Sequence, residues 1–230
     1  MAISASQVKE LREKTGAGMM DCKKALEACD GDIARSIDWL REKGISKAAK
    51  KADRIAAEGL TGAVENGNVA YVYEVNSETD FVAKNDKFLE LMSNVGKAIL
   101  ESNASNLEEA LAYSFKGQTL EAMMLDATAT IGEKITLRRL EKVVKEADET
   151  FGLYIHMGGK ISVVTKVKNG TAEVSKDMAM QVASMMPSFI SRNHMPAEFI
   201  EHERAIQVEI MNNDDALASK PDNVKKGILE

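Results

Sequence analysis

The chain has 230 residues, 44% of them apolar and 29% charged, with a net charge of −6. That length allows one large domain or a few small ones, and the composition is that of a globular protein rather than a disordered or fibrous one. The acidic balance does not advertise nucleic-acid binding, and no segment reaches the ~18–20 continuous apolar residues of a membrane span. The charge is uneven, because residues 1–55 hold 12 Lys+Arg against 9 Asp+Glu and so leave −9 to the remaining 175. A basic N-terminal module on an acidic body suits a protein partner at least as well as RNA. The start, "MAISASQVKELREK", lacks the apolar run of a signal peptide, and a cytoplasmic location is expected.

In chain order, "SASQVKELREK" (4–14) reads as a short helix, with Ser4 and Gln7 at capping-box spacing. "TGAG" (15–18) breaks it. "MMDCKKALEAC" (19–29) is a second helix, with Met19, Cys22, Leu26 and Cys29 near one face. "IARSIDWLREKG" (33–44) is a third, with Ile33, Ile37 and Leu40 inward and Gly44 as its stop. The basic, alanine-rich stretch 45–59 is expected as a helical linker. The two cysteines are seven apart, about 10 Å along a helix axis. A disulfide needs Cα atoms within about 7 Å, so free thiols and a reducing compartment are expected.

The pattern then changes. Two strand-like runs flank Asn66-Gly67 in "LTGAVENGNVAYVYEVNS" (60–77), a hairpin signal. A long amphipathic helix follows over 79–102, irregular near Asn85, with Thr79 as cap and Asp80 in the first turn. Short helices are read at 106–114 and 119–133, and a strand at 134–145. "TFGLYIHMGGKISVVTKVKNG" (150–170) is a second hairpin turning at Gly158-Gly159, followed by a helix at 175–186. A charged helix over 196–213 and the start of another at 220–230 suggest an antiparallel pair. The order hairpin, helices, strand occurs at 60–140 and again in part at 150–186, consistent with a loose internal repeat. The fold class is therefore α+β.

Signals for chemistry are scarce. "GAGMMD" (16–21) lacks the preceding strand and the third glycine of a dinucleotide loop, and "MGGK" (157–160) lacks the upstream glycine and the following Ser/Thr of a phosphate loop. No binding of nucleotide by the chain itself is expected, and no cofactor. His156, His194 and His202 do not fall at metal-ligand spacing, and no Gly-x-Ser-x-Gly elbow is present. "KAAKKADR" (47–54) is basic but lacks the interleaved aromatics of a single-strand binder.

Two long, ungapped stretches resemble a known family. "VKELREKTGAGMMDCKKAL" (8–26) and "EVNSETDFVAKN" (74–85) are similar to the signature motifs of bacterial elongation factor Ts, and the similarity continues through "ATIGEKITLRRLE" (129–141) and "HMGGKISVV" (156–164). The resemblance implies a three-helix module like ubiquitin-associated domains, with its linker (1–54). It implies a core of two related α+β halves with antiparallel sheets, the first at 55–140 and the start of the second at 141–186. A helical hairpin arm (187–230) would follow, incomplete at its C-terminus, since long members continue and complete the second half. The implied function is guanine nucleotide exchange on elongation factor Tu, without enzymatic chemistry and without nucleic acid or membrane as partner. Thr79, Asp80, Phe81 and Val82 match the family motif that enters the GTPase near its Mg²⁺ and promotes GDP release. Arg12, Met19 and Met20 match positions in the module that grip the GTPase domain, and His156 matches a contact from the second core half. The alternative is a ubiquitin-associated-like interaction adaptor without exchange activity.

Overall fold

The computed structural model describes residues 3–229, leaving out the side chains of residues 45–47. The chain divides into two compact units between Ser184 and Met185.

The first unit opens with three helices, α1 (Ala5–Thr15), α2 (Met19–Ala28) and α3 (Ile33–Ala49). Ser4 caps α1 as its spacing predicts: its side chain accepts from the Gln7 N–H at 3.2 Å, and Gln7 Oε1 accepts from the Ser4 N–H at 3.0 Å. Gly16 ends α1 in the left-handed conformation with φ 65°. Leu11, Cys22, Ala25 and Leu26 form the small core, with Trp39 and Leu40 packed against it. Cys22 and Cys29 are buried free thiols.

Four expectations here need correction. Met19 is 59% exposed, so the apolar face of α2 begins at Cys22 rather than Met19. Ile37 is also exposed, and its neighbour Ser36 takes the buried position by donating to the Asp32 carbonyl at 2.6 Å. Gly44 does not stop α3, which runs five residues further, and the residues after Ala49 form turns rather than a helical linker. Gly44 is buried against α7 (Leu120–Ile131), where a Cβ would come within 3.0 Å of the Ala129 methyl. The glycine serves close packing instead of helix termination.

The body carries a three-stranded antiparallel sheet in the order β1 (Glu58–Asn66), β2 (Val69–Ser77), β5 (Thr136–Val144). Between β2 and β5 lie α4 (Asp80–Ala83), α5 (Asp86–Ser102), α6 (Leu107–Ala112), the two-residue strands β3 (Ser114–Phe115) and β4 (Gln118–Thr119), and α7. Tyr71, Tyr73 and Val75 project from one face of β2 into the main core with Phe88, Val95 and Ile99 of α5. Each buried phenol finds a carbonyl: Tyr71 donates to Ala104 at 2.7 Å and Tyr73 to Met92 at 2.9 Å. Burial pushes the Tyr73 phenol up to about 12.

A second hairpin, β6 (Glu149–His156) and β7 (Ile161–Lys168), is followed by α8 (Ala172–Met185). Gly152 of β6 lets α8 approach so closely that a Cβ would fall 1.8 Å from the Ser175 carbonyl oxygen. The hairpin tip docks on β1, where the Gly159 carbonyl accepts from the Thr61 N–H at 2.7 Å and the Thr61 hydroxyl at 2.8 Å. Lys160 pairs with Glu58 at 3.2 Å.

The second unit contains a 3₁₀ turn (Arg192–His194) and α9 (Ala197–Asn213), with α10 (Asp215–Ala218) and α11 (Asp222–Leu229) both contacting α9. Phe189 packs edge-on against Phe199 with ring centroids 4.9 Å apart, and Met211 is buried. The chain is thus mixed α+β, with small antiparallel sheets and an N-terminal three-helix segment. Among the described residues, no helix is long and apolar enough to cross a membrane.

Candidate functional site: the turn after the second strand

The helix expected over 79–102 is two helices. Asn85 interrupts it, with extended φ and ψ of −77° and 137°, and caps α5 by accepting from the Lys87 N–H at 2.9 Å. What precedes it is the four-residue α4. Thr79 is its cap, with φ −126° and ψ 157°, and its Oγ1 accepts from the Val82 N–H at 3.4 Å.

The four residues of the motif divide by environment. Ala83, the next residue, is buried, and Val82 packs half-buried against the main core. Phe81 points away and is 80% exposed. Asp80 sits beside it in the first turn and accepts from Lys84 Nζ at 2.8 Å. That hydrogen bond holds the Asp80 carboxyl below the usual carboxylate range, so it is an anion at neutral pH. Lys160, at the tip of the second hairpin, adds a smaller pull in the same direction.

Two glutamates beneath the turn tie it to the α7–β5 connection. Glu133 accepts from the Thr79 N–H at 2.9 Å and from the Thr79 hydroxyl at 2.7 Å. Glu78 accepts from the Lys134 N–H at 2.6 Å and from Arg54 Nη1 at 3.3 Å. The Lys134 bond is the main cause that holds the Glu78 carboxyl low, and Arg54 adds to it against the cost of burial. Neither glutamate stands out in the sequence, because their partners lie 54 and 56 residues away. The short-range signals of capping and periodicity cannot find such pairs.

The remaining sequence-picked residues fall around this turn or apart from it. Arg12 is exposed on α1, and Met20, 63% exposed, lies beside Met19 in the first turn of α2. The loop between those helices is tied to α5, since Lys87 Nζ donates to the Gly16 carbonyl at 3.0 Å. The methionines therefore follow a loop held against the helix that directly follows the motif. His156 is half-buried at the end of β6, its Nδ1 2.9 Å from the Tyr154 hydroxyl, and no hydrogen bond joins it to the motif. Next to it Met157 is 73% exposed. Among the described residues, no group of three or more His, Cys, Asp or Glu could hold a metal ion.

A family model described as elongation factor TS matches residues 78–230, which begin at the turn just described. The chain is 52% identical over 231 residues to Elongation factor Ts of Acholeplasma laidlawii (strain PG-8A), covering 100% of this chain and 78% of that protein. The chain belongs to the elongation factor Ts family. It is also 49% identical over 228 residues to Elongation factor Ts of Oenococcus oeni (strain ATCC BAA-331 / PSU-1), covering 99% of this chain and 77% of the relative. With Elongation factor Ts of Spiroplasma citri the identity is 47% over 231 residues, covering 100% and 78%. The sequence resemblance is borne out along the whole chain. Membership gives the chain the family's role in translation, that of a nucleotide exchange factor.

Proposed function

We propose that this chain promotes GDP release from elongation factor Tu, and that the Thr79-Asp80-Phe81-Val82 turn does so by disturbing the partner's Mg²⁺ site. The observation that carries the reading is Phe81: a bulky aromatic left 80% exposed on a helix whose other apolar residues are anchored in the core. Exposed in this way the ring contributes little to its own fold, and it gains free energy when a groove on another protein covers it. A wedge needs a rigid base. Here Val82 and Ala83 are packed inward and Thr79 is held by Glu133.

Asp80 supplies the second component. It is ionised and stands next to Phe81. A carboxylate brought close to a bound Mg²⁺ competes for its ligands, while the ring displaces the groups that position the ion. GDP is held jointly through its phosphates and the ion, so it binds more weakly. By linkage, GDP weakens the factor's own binding to the same degree, which is what an exchange cycle requires. No covalent bond changes, and the chain acts as a binding factor rather than an enzyme. Arg12, Met19 and Met20 supply grip on the GTPase domain, and the segment around His156 supplies a second contact.

The test is release of a fluorescent GDP analogue from purified elongation factor Tu, with and without this chain, across a series of Mg²⁺ concentrations. The expected result is acceleration that shrinks as Mg²⁺ rises. Acceleration independent of Mg²⁺ refutes the ion-disturbing step. Binding without acceleration refutes exchange and favours an adaptor.

A further inference from the structure

The motif's first residue hangs on a carboxylate that lies outside the motif. Glu78-Thr79 and Glu133-Lys134 exchange bonds crosswise. Glu133 takes the Thr79 N–H on Oε2 and its hydroxyl on Oε1, while Glu78 takes the Lys134 N–H. Lys134 Nζ extends the link to the carbonyls of Ala52 and Arg54, in the segment that leads from the three helices into β1.

We infer that Glu133 is a positioning residue for nucleotide exchange, its carboxylate fixing Thr79 so that Asp80 and Phe81 are presented at one angle. The inference rests on the exchange reading above. A helix of four residues does not sustain itself, because nucleation is costly and few bonds repay it. Its own cap bond is long, 3.4 Å from the Val82 N–H to Thr79 Oγ1. The Thr79 hydroxyl has a single hydrogen. Donating it to Glu133 leaves the oxygen's lone pairs turned toward Val82, so the same carboxylate holds the residue and orients its cap. Two bonds to the two oxygens of one carboxyl group fix the residue's direction better than a single bond. Exposed Phe81 cannot brace the turn from the other side. Without Glu133, Val82 and Ala83 stay in the core and the buried Ser77 hydroxyl still donates to the Thr79 carbonyl at 2.9 Å, but the Thr79 N–H and hydroxyl at the start of α4 lose the partner that orients them.

The experiment compares the full chain with Glu133→Gln and Glu133→Ala, reading the maximal rate of GDP release and the half-saturating concentration separately. Glu133→Ala is expected to lower the maximal rate by roughly tenfold, the scale of losing a hydrogen bond to a charged group. Half-saturation should move by less than about threefold, because separate surfaces supply most of the grip. In a Phe81→Ala background, Glu133→Ala should change the rate by no more than about twofold, as expected for residues that act as one unit. Amide hydrogen exchange of residues 79–83, measured on the free chain, should accelerate in both Glu133 variants, less in Gln, which keeps one acceptor oxygen. An unchanged maximal rate, a loss fully additive with Phe81→Ala, or unchanged amide exchange overturns the inference. The amide measurement needs no partner. A wild-type chain that fails to accelerate GDP release therefore sinks the exchange reading, while the clamp is still judged by its own readout.

Discussion

Replacing Phe81 with alanine separates the ring's two possible duties. A core phenylalanine truncated to alanine costs about 3–5 kcal/mol of stability. Phe81 is 80% exposed, so the expected loss is within about 0.5 kcal/mol, as for other surface positions. The interface cost is different. An aromatic side chain buries about 150–250 Å², and four-fifths of that at ~25 cal/mol per Å² is about 3–5 kcal/mol before ordering costs are subtracted. A net of about 2 kcal/mol remains for a central anchor, roughly a thirtyfold fall in GDP-release acceleration. Urea unfolding measures the first quantity, and stopped-flow release of the fluorescent GDP analogue measures the second. A stability loss above about 1 kcal/mol, or exchange within twofold of the parent, would refute the assignment of Phe81 as an outward-facing tool.

Three further outcomes follow from other parts of the molecule. Met19→Ala with Met20→Ala should raise the half-saturating concentration for exchange several-fold and leave the maximal rate nearly intact, since both side chains are exposed and distant in sequence from the turn; a titration of the factor checks this. Gly152→Ala should destabilise by at least about 3 kcal/mol, because the new Cβ would meet backbone atoms of Ser175 and Lys176 at 1.8–2.6 Å and α8 must retreat as a body. The urea midpoint reads that loss. Glu74 is lowered despite the opposing effect of its burial, because Asn76 and Arg139 donate to it at 2.9 and 2.6 Å. Its folded value lies below its unfolded one, so its contribution is complete above the ordinary carboxylate pKa of about 4.3 and is lost as pH falls below that. Urea unfolding between pH 3 and 6 should show a shallower acid slope in Glu74→Gln than in the parent.

What could be read from the sequence depended on how far each signal had to reach. The Ser4–Gln7 box and the Asn85 break act within three residues and appear where the sequence put them. The hairpins follow from Asn66-Gly67 and Gly158-Gly159, whose φ values of 62° to 105° at the glycines suit those turns. Gly44 was misread because its reason is Ala129, 85 positions on, and helix periodicity carries no trace of that contact. Met19 fits the apolar stripe of α2 by spacing alone. The first turn of that helix, however, extends past the small core, whose buried members on α2 are Cys22, Ala25 and Leu26. The motif itself was visible only through family resemblance. A phenylalanine after a capped aspartate reads equally well as core, and only its exposure separates the two. Glu133 lies in the stretch 129–141 that carries the family resemblance, yet nothing in the sequence singles it out, because its contact with Thr79 arises from two turns brought together by the pairing of β2 with β5.

The docking of the second hairpin on β1 also bears on how the folded chain avoids pairing with another molecule. β1 is an outer strand of its sheet, and its unpaired N–H and C=O groups form a template for a strand from another molecule. One of those N–H groups, on Thr61, is already taken by the Gly159 carbonyl, and Lys160 places a charge beside the strand's first residues. An incoming strand must displace both before a continuous ladder can form. The hairpin tip thus acts as a gatekeeper against intermolecular β-pairing, guarding the strand that leads through β2 to the Thr79–Val82 turn.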